Sequence, residues 1–209
     1  MTEIILMRHG ETVGNKSGIL NAPFDRLTAD GVDQVQESGR RLNAEHHASP
    51  ITAIVSSAMY RAEESARAVG GVLGVAPVTV PGLHERYLGM LEGLLVSDAR
   101  AVVDDQDLIR GLDDIYYVDG TYGSESLEET ARRVGLALKN TRRKNQVEKV
   151  LVVTHGDAAV CGAAHMTGVD PRILVRALRF KNAEYATIYP DGRLYKDGKL
   201  VVADGKIVV

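Results

Sequence analysis

Two stretches of this 209-residue chain set a histidine and a glycine directly after an apolar run: "IILMRHG" ends in Arg8-His9-Gly10, and "KVLVVTHG" ends in Thr154-His155-Gly156. Each run reads as a strand buried in a sheet. Arginine and histidine at a strand end are polar donors that face either solvent or a ligand. The formal net charge is −3, so the chain offers no general field for nucleic acid or anionic membranes. An anion, if bound, is held by a local pocket of such groups.

The elements that must position these residues alternate along the chain. After "EIILM" and a loop to Leu27, Thr28 can cap a helix through Val32, Val35 and Leu42 to about Glu45. Pro50 introduces the strand-like "ITAIVSS", and a helix from about Ala58 to Leu73 carries Ala62, Ala66, Val69 and Leu73 on one face. Pro77 to Val80 is another short strand. Ser126 and Glu129 form a capping box for a helix reaching about Arg143. "DAAVCGAAHMTG" reads as a helix, and Asp170-Pro171 starts a short one. From Tyr185 onward Asp-Gly occurs three times between β-branched runs, which predicts tight hairpins.

Leu94 to Gly120 stands apart, with seven Asp against two Arg and weak periodicity. It is expected to be a partly helical cap insertion at 94–120 within a single domain spanning 1–209. The alternation predicts an α/β fold: a three-layer sandwich around a mostly parallel sheet, with the cap and a hairpin-rich C-terminal tail. In such sheets ligands bind outside the strands' carboxyl ends. His9 and His155 would share that edge, and their glycines would permit tight turns and close backbone approach to a ligand.

Composition narrows the class further. The apolar fraction of 44% suffices for a core, and one cysteine, Cys161, gives no internal disulfide framework. The first strand begins near Met1, leaving no room for a signal peptide, and no apolar run approaches a membrane span. A cytoplasmic protein is expected.

Five blocks in order then resemble the histidine phosphatase superfamily, the phosphoglycerate mutase-like proteins: "LMRHGETVGN", "SSAMYRAEESA", "LHERYLGMLEG", "SESLEETARRV" and "VVTHGDAAV". "DRLTADGVDQV" and "NAEYATI" extend the likeness over nearly the whole chain. The resemblance implies that His9 attacks phosphorus and becomes a phosphohistidine, and that Glu85 donates the proton to the leaving group. It implies a phosphate cage of Arg8, Arg61, His155 and Asn15, helped by amides after Gly10 and after Gly156. His9 would have to be neutral and Glu85 protonated. No cofactor or metal is implied, and no H-E-x-x-H or clustered Cys/His spacing occurs.

Plainer roles stand beside these. Arg61 could pair with Glu63 or Glu64 on the surface, Asn15 could cap a turn, and His155 could be a core histidine. His46, His47 and His165 show no partner pattern, His84 has no assignable role, and Cys161 reads as a packed thiol. Asp157 is unexpected beside a phosphate, and Ser124 separates Gly123 from Glu125 where the family often has Gly-Glu-Ser. A phosphatase acting on a small sugar, glycerate or similar phosphate is expected, because the acidic 94–120 segment would repel a bisphosphorylated cofactor. A 2,3-bisphosphoglycerate-dependent mutase and a non-catalytic phospholigand- or protein-binding module are the alternatives. The expected partner is a small phosphorylated metabolite, and a homo-oligomer is one use for the tail's edge.

Overall fold

In the computed structural model, residues 2–22, 24–110, 116–144 and 147–208 are described. The chain opens with β1 (Glu3–Arg8), α1 (Val13–Ser17) and α2 (Ala29–Glu45), and Thr28 caps α2 by accepting from the Gly31 amide. The α1 turn falls where only a loop was expected; Thr12 caps it through the Asn15 amide. Then come β2 (Ala53–Ser56), α3 (Tyr60–Leu73) and β3 (Pro77–Thr79). The 94–120 segment contributes α4 (Val96–Val102) and a small hairpin of β4 (Leu108–Arg110) and β5 (Tyr116–Val118). Residues 111–115, including Asp113 and Asp114 of the acidic run, lie outside the described residues.

The second half supplies α5 (Leu127–Lys144), β6 (Lys149–Thr154), α6 (Gly156–Thr167) and α7 (Pro171–Leu174). The capping box forms as expected: the Glu129 amide donates to Ser126 Oγ, and the Ser126 amide donates back to the Glu129 carboxylate. The tail is β7 (Tyr185–Ile188), β8 (Leu194–Lys196), β9 (Lys199–Ala203) and β10 (Lys206–Ile207).

The main sheet runs β10-β9-β8-β7-β1-β6-β2-β3. It is mixed, which corrects the expectation of a mostly parallel sheet. Only β1–β6, β2–β6 and β2–β3 pair in parallel; β1–β7 and the hairpins beyond it are antiparallel. The cause is the tail: two of its Asp-Gly turns place both residues at positive φ, Asp197-Gly198 and Asp204-Gly205, and tight turns join antiparallel neighbours. The tail therefore extends the chain's own sheet.

Alternation along β1 and β6 sorts two cores. Ile4, Leu6, Val150 and Val152 face α5 and α6, while Ile5, Met7, Leu151 and Val153 face α2 and α3. The sheet's parallel half is thus covered on both faces, and its parallel pairing sets the carboxyl ends of β1, β6 and β2 at one edge. A third, smaller cluster joins Leu91 to Ala99, Val103 and Val118 of the 94–120 segment, with Leu20 and Leu88 packed against it. No helix among the described residues is long and apolar enough to cross a membrane.

Candidate active site

His9 follows β1 and is buried, with 3% of its surface exposed. Its Nδ1 lies 2.7 Å from the Gly10 carbonyl oxygen. A carbonyl only accepts, so Nδ1 carries the proton and Nε2 keeps its lone pair. Burial lowers the pKa of His9 well below the usual imidazole value, and the charges of Arg8 and then Arg61 lower it further. The ring is therefore neutral at neutral pH.

Gly10 serves a packing need. Its φ is not positive; an added Cβ would sit 2.2 Å from the Gly31 carbonyl oxygen of α2. The expected tight turn and approach to a ligand are replaced by close approach of a helix. The amides there are committed as well, Gly10 to Ser65 Oγ and Glu11 to Gln34.

Arg8 ends β1, and its Nη1 donates to the Phe180 carbonyl at 2.8 Å. Arg61, in the first turn of α3, is 4% exposed and points inward. Its guanidinium donates to Asn21 Oδ1 at 2.6 Å, the Ala22 carbonyl at 3.2 Å and His155 Nδ1 at 3.2 Å. The surface ion pairs open to it belong to others: Glu63 pairs with Arg67, and Glu64 with Arg26.

Because Arg61 donates to Nδ1 of His155, the neutral ring carries its proton on Nε2 and donates to Ser57 Oγ at 2.9 Å. Burial, followed by Arg61, lowers the pKa of His155 well below its usual value. The ring meets His9 edge-on, with centroids 5.2 Å apart. His155 stands behind Arg61 rather than on the cavity wall, whereas Arg8, Arg61 and Asn15 line the cavity. Asn15 is in α1, and its Oδ1 accepts from Asn182 at 2.9 Å, leaving its amide NH₂ as the donor.

Glu85 approaches from the loop after β3. Its carboxylate accepts from the amides of Arg86 and Ala158, each at 2.9 Å, and of Asp157 at 3.4 Å. The amides at the start of α6 thus hold Glu85, although they were expected to hold phosphate. Burial raises the carboxyl's pKa first, and the neighbouring Asp157 raises it further against the pull of those amides.

The puzzle of Asp157 resolves in Arg86. This guanidinium, 2% exposed, donates from Nε to Asp157 Oδ2 at 2.8 Å and from Nη1 to the Val118 carbonyl at 2.6 Å. Asp157 therefore pairs with a buried cation. Arg133 of α5 clamps the same loop: it reaches the carbonyls of Gly82 and His84 at 3.0 Å each and makes a two-pronged pair with Glu125 at 2.6 and 2.8 Å. Glu125 thus holds the clamp despite the altered Gly-Ser-Glu order.

Sequence reasoning missed Asn21, Ser57, Arg86, Arg133 and Asn182. All but Asn21 lie inside or beside quoted blocks, so position was visible while partners were not. Asn21 has only its positive φ of 41° to mark it, and that is a backbone property.

Arg8, His9, Asn15, Asn21, Arg61, Glu85, Arg86 and Asn182 line a cavity of about 440 Å³. Of the acidic 94–120 segment, Asp98, Asp104, Asp105, Asp107 and Asp119 do not line it, whereas Arg100 does. Asp119 instead binds Arg172, and Asp107 binds the Tyr122 hydroxyl. The expected repulsion of a second phosphate by these acids has no support in that lining. Among the described residues no cluster of three or more His, Cys, Asp or Glu could hold a metal ion.

A neutral imidazole with a bare Nε2, two flanking guanidiniums and a protonatable carboxyl can move a phosphoryl group. A family model for the histidine phosphatase superfamily (branch 1) matches residues 4–196. A probable phosphoglycerate mutase, GpmB, of Yersinia enterocolitica is 29% identical over 194 residues, covering 90% of this chain and 85% of that protein. In fold, the chain is similar to a mycobacterial glucosyl-3-phosphoglycerate phosphatase solved with VO3 (TM-score 0.75, 18% identity, 90% of this chain and 93% of that one). It is also similar to a phosphoserine phosphatase of Entamoeba histolytica solved with 3-phosphoglyceric acid (TM-score 0.72, 22% identity, 90% of each chain).

Proposed function

The chain belongs to the histidine phosphatase superfamily, and on that premise we propose that it is a metal-independent phosphatase that hydrolyses a small phosphomonoester through a phosphohistidine on His9. The observation that carries the proposal is the tautomer of His9: Nδ1–H is tied to the Gly10 carbonyl, so Nε2 offers its lone pair between Arg8 and Arg61.

In the first step the Nε2 lone pair forms a bond to phosphorus as the P–O ester bond breaks. The bond's electron pair goes to the leaving oxygen, which takes the proton of Glu85. Nδ1–H stays on the Gly10 carbonyl and steadies the ring through its cationic state. Arg8, Arg61 and the Asn15 amide hold the three remaining phosphoryl oxygens, whose charge their donors match. In the second step water attacks phosphorus, Glu85 carboxylate takes its proton, and the P–N electron pair returns to Nε2. Inorganic phosphate leaves, and both groups are as they began. His155 braces Arg61 in this scheme; a direct bond to phosphate requires it to give up Ser57.

The test is turnover of p-nitrophenyl phosphate with and without EDTA, by the native chain and by His9→Ala. Labelled substrate quenched in the steady state should leave an acid-labile, base-stable phosphate on the native protein alone. Absence of turnover, or loss of it in EDTA, contradicts the proposal. The name of the Yersinia relative favours a second reading, a mutase. A requirement for 2,3-bisphosphoglycerate, with isomerised ester instead of free phosphate as product, would establish that one.

A further inference from the structure

The cavity's volume of about 440 Å³ lies within the range of sites that enclose a whole small molecule. Its lining is of two kinds. Arg8, His9, Arg61 and Glu85 supply charged and catalytic groups, whereas Leu20, Leu88, Leu91, Val96, Val103 and Val118 supply a hydrocarbon wall. Three of these, Leu91, Val103 and Val118, belong to the cluster that the 94–120 segment builds, so the wall is the face of a packed unit. Arg100 and Arg179 also border the cavity, and both interact with other groups of the protein.

A polyhydroxy or carboxylate-bearing leaving group placed against those aliphatic side chains loses water and gains no hydrogen bonds from them. An apolar one gains by leaving water. Building on the phosphatase reading of His9, we propose that the substrate is a phosphomonoester of an alcohol with a bulky apolar body, aromatic or branched aliphatic, seated on the Leu88–Leu91–Val103–Val118 wall. The wall selects through its surface and not through any single group. Discrimination therefore accumulates with each buried methylene, about four-fold apiece.

The experiment matches leaving-group chemistry so that only the body differs. Primary alkyl phosphates are compared: ethyl, butyl, 3-methylbutyl and 2-phenylethyl phosphate against glycerol 3-phosphate and 3-phosphoglycerate. kcat/KM should climb along the apolar series, with 2-phenylethyl phosphate at least about ten-fold above glycerol 3-phosphate. Val103→Thr, nearly isosteric, should compress that ratio, and a thermal melt confirms that the variant is folded. If the polar phosphates are turned over as well as or better than the apolar ones, this inference falls while the phosphatase reading stands. If nothing is turned over, binding still decides it. The non-hydrolysable 2-phenylethylphosphonate should raise the melting temperature more than its glycerol counterpart, and an equal or smaller rise would overturn the proposal.

Discussion

At the sheet-edge end of the cavity, the groups that meet come from strand ends and the turns that follow them. Arg8 and His9 leave β1, His155 leaves β6, and Arg61 enters α3 just after β2. Parallel pairing of β1 with β6 and of β6 with β2 sets their spacing. The apolar wall draws on Leu20, on the loop after β3, and on α4 and β5, which are joined by aliphatic packing and by hydrogen bonds such as Leu20 to Leu94 and Arg86 to Val118. One end is positioned by backbone hydrogen bonds and serves fixed chemistry. The other offers a ligand only side-chain volume, which many sequences can supply. A mutation should therefore act all-or-none at the first end and by degrees at the second.

The largest effect tests that directly. His9→Ala should lower kcat by about 10⁴-fold or more, since the proposed covalent intermediate forms on the His9 Nε2. In acid, below the usual imidazole pKa, its melting temperature should hold or rise relative to the native protein, because a buried ring that resists protonation is removed. An activity loss comparable with that of a wall variant such as Val103→Thr would erase the contrast. Arg61→Lys comes next. Lysine keeps the charge but not the planar fork that reaches Asn21, Ala22 and His155 at once. A fall in kcat/KM of about 10²-fold is expected; near-native turnover would mean that charge alone suffices.

The same contrast explains what was legible in the sequence. The strand-end dipeptides announced themselves because an apolar run broken by Arg-His-Gly combines periodicity with chemistry in a few residues. The helix caps at Thr28, Ser126 and Asp170 were readable for the same reason: a cap is a local contact. What escaped depends on distant partners. Arg86 meets Asp157 seventy-one positions away, and Asn182 meets Asn15 across 167. The sheet's mixed character escaped too: the Asp-Gly turns announced hairpins, but β7 docking antiparallel on β1 is a tertiary choice. The 94–120 acids were counted correctly, yet the described ones do not line the cavity, because composition carries no direction.

A smaller effect should come from the clamp that joins the two ends. Arg133 holds the Gly82, His84 and Glu125 groups around Glu85 without touching the cavity. Although burial pushes the Glu125 carboxyl up, its bonds to Arg133 hold the pKa below the usual value, a sign that the pair is formed. Arg133→Met should lower kcat about ten-fold by loosening Glu85, the proposed proton donor, with KM little changed. A change confined to KM would assign Arg133 to substrate binding instead.

The subtlest prediction concerns pH. In the proposed cycle Glu85 begins protonated, and burial first, then Asp157, raises its pKa. The acid form therefore survives to higher pH than in an ordinary glutamate, and activity fails on the alkaline side as that proton is lost. His9 must be neutral, and its lowered pKa keeps it so well into the acid range, which sets the acidic limb. The kcat/KM optimum should thus lie on the acid side of neutrality. Asp157→Asn removes one cause of the raised pKa and leaves the buried Arg86 charge uncompensated beside Glu85. Both changes favour the carboxylate, so the Glu85 pKa falls and the alkaline limb moves to lower pH. Asp157 is not among the groups that shift His9, so the acidic limb should stay in place. The profile then narrows from one side only. If both limbs move together, Asp157 acts on the whole site's structure; if the alkaline limb moves upward, Glu85 is not the titrating acid.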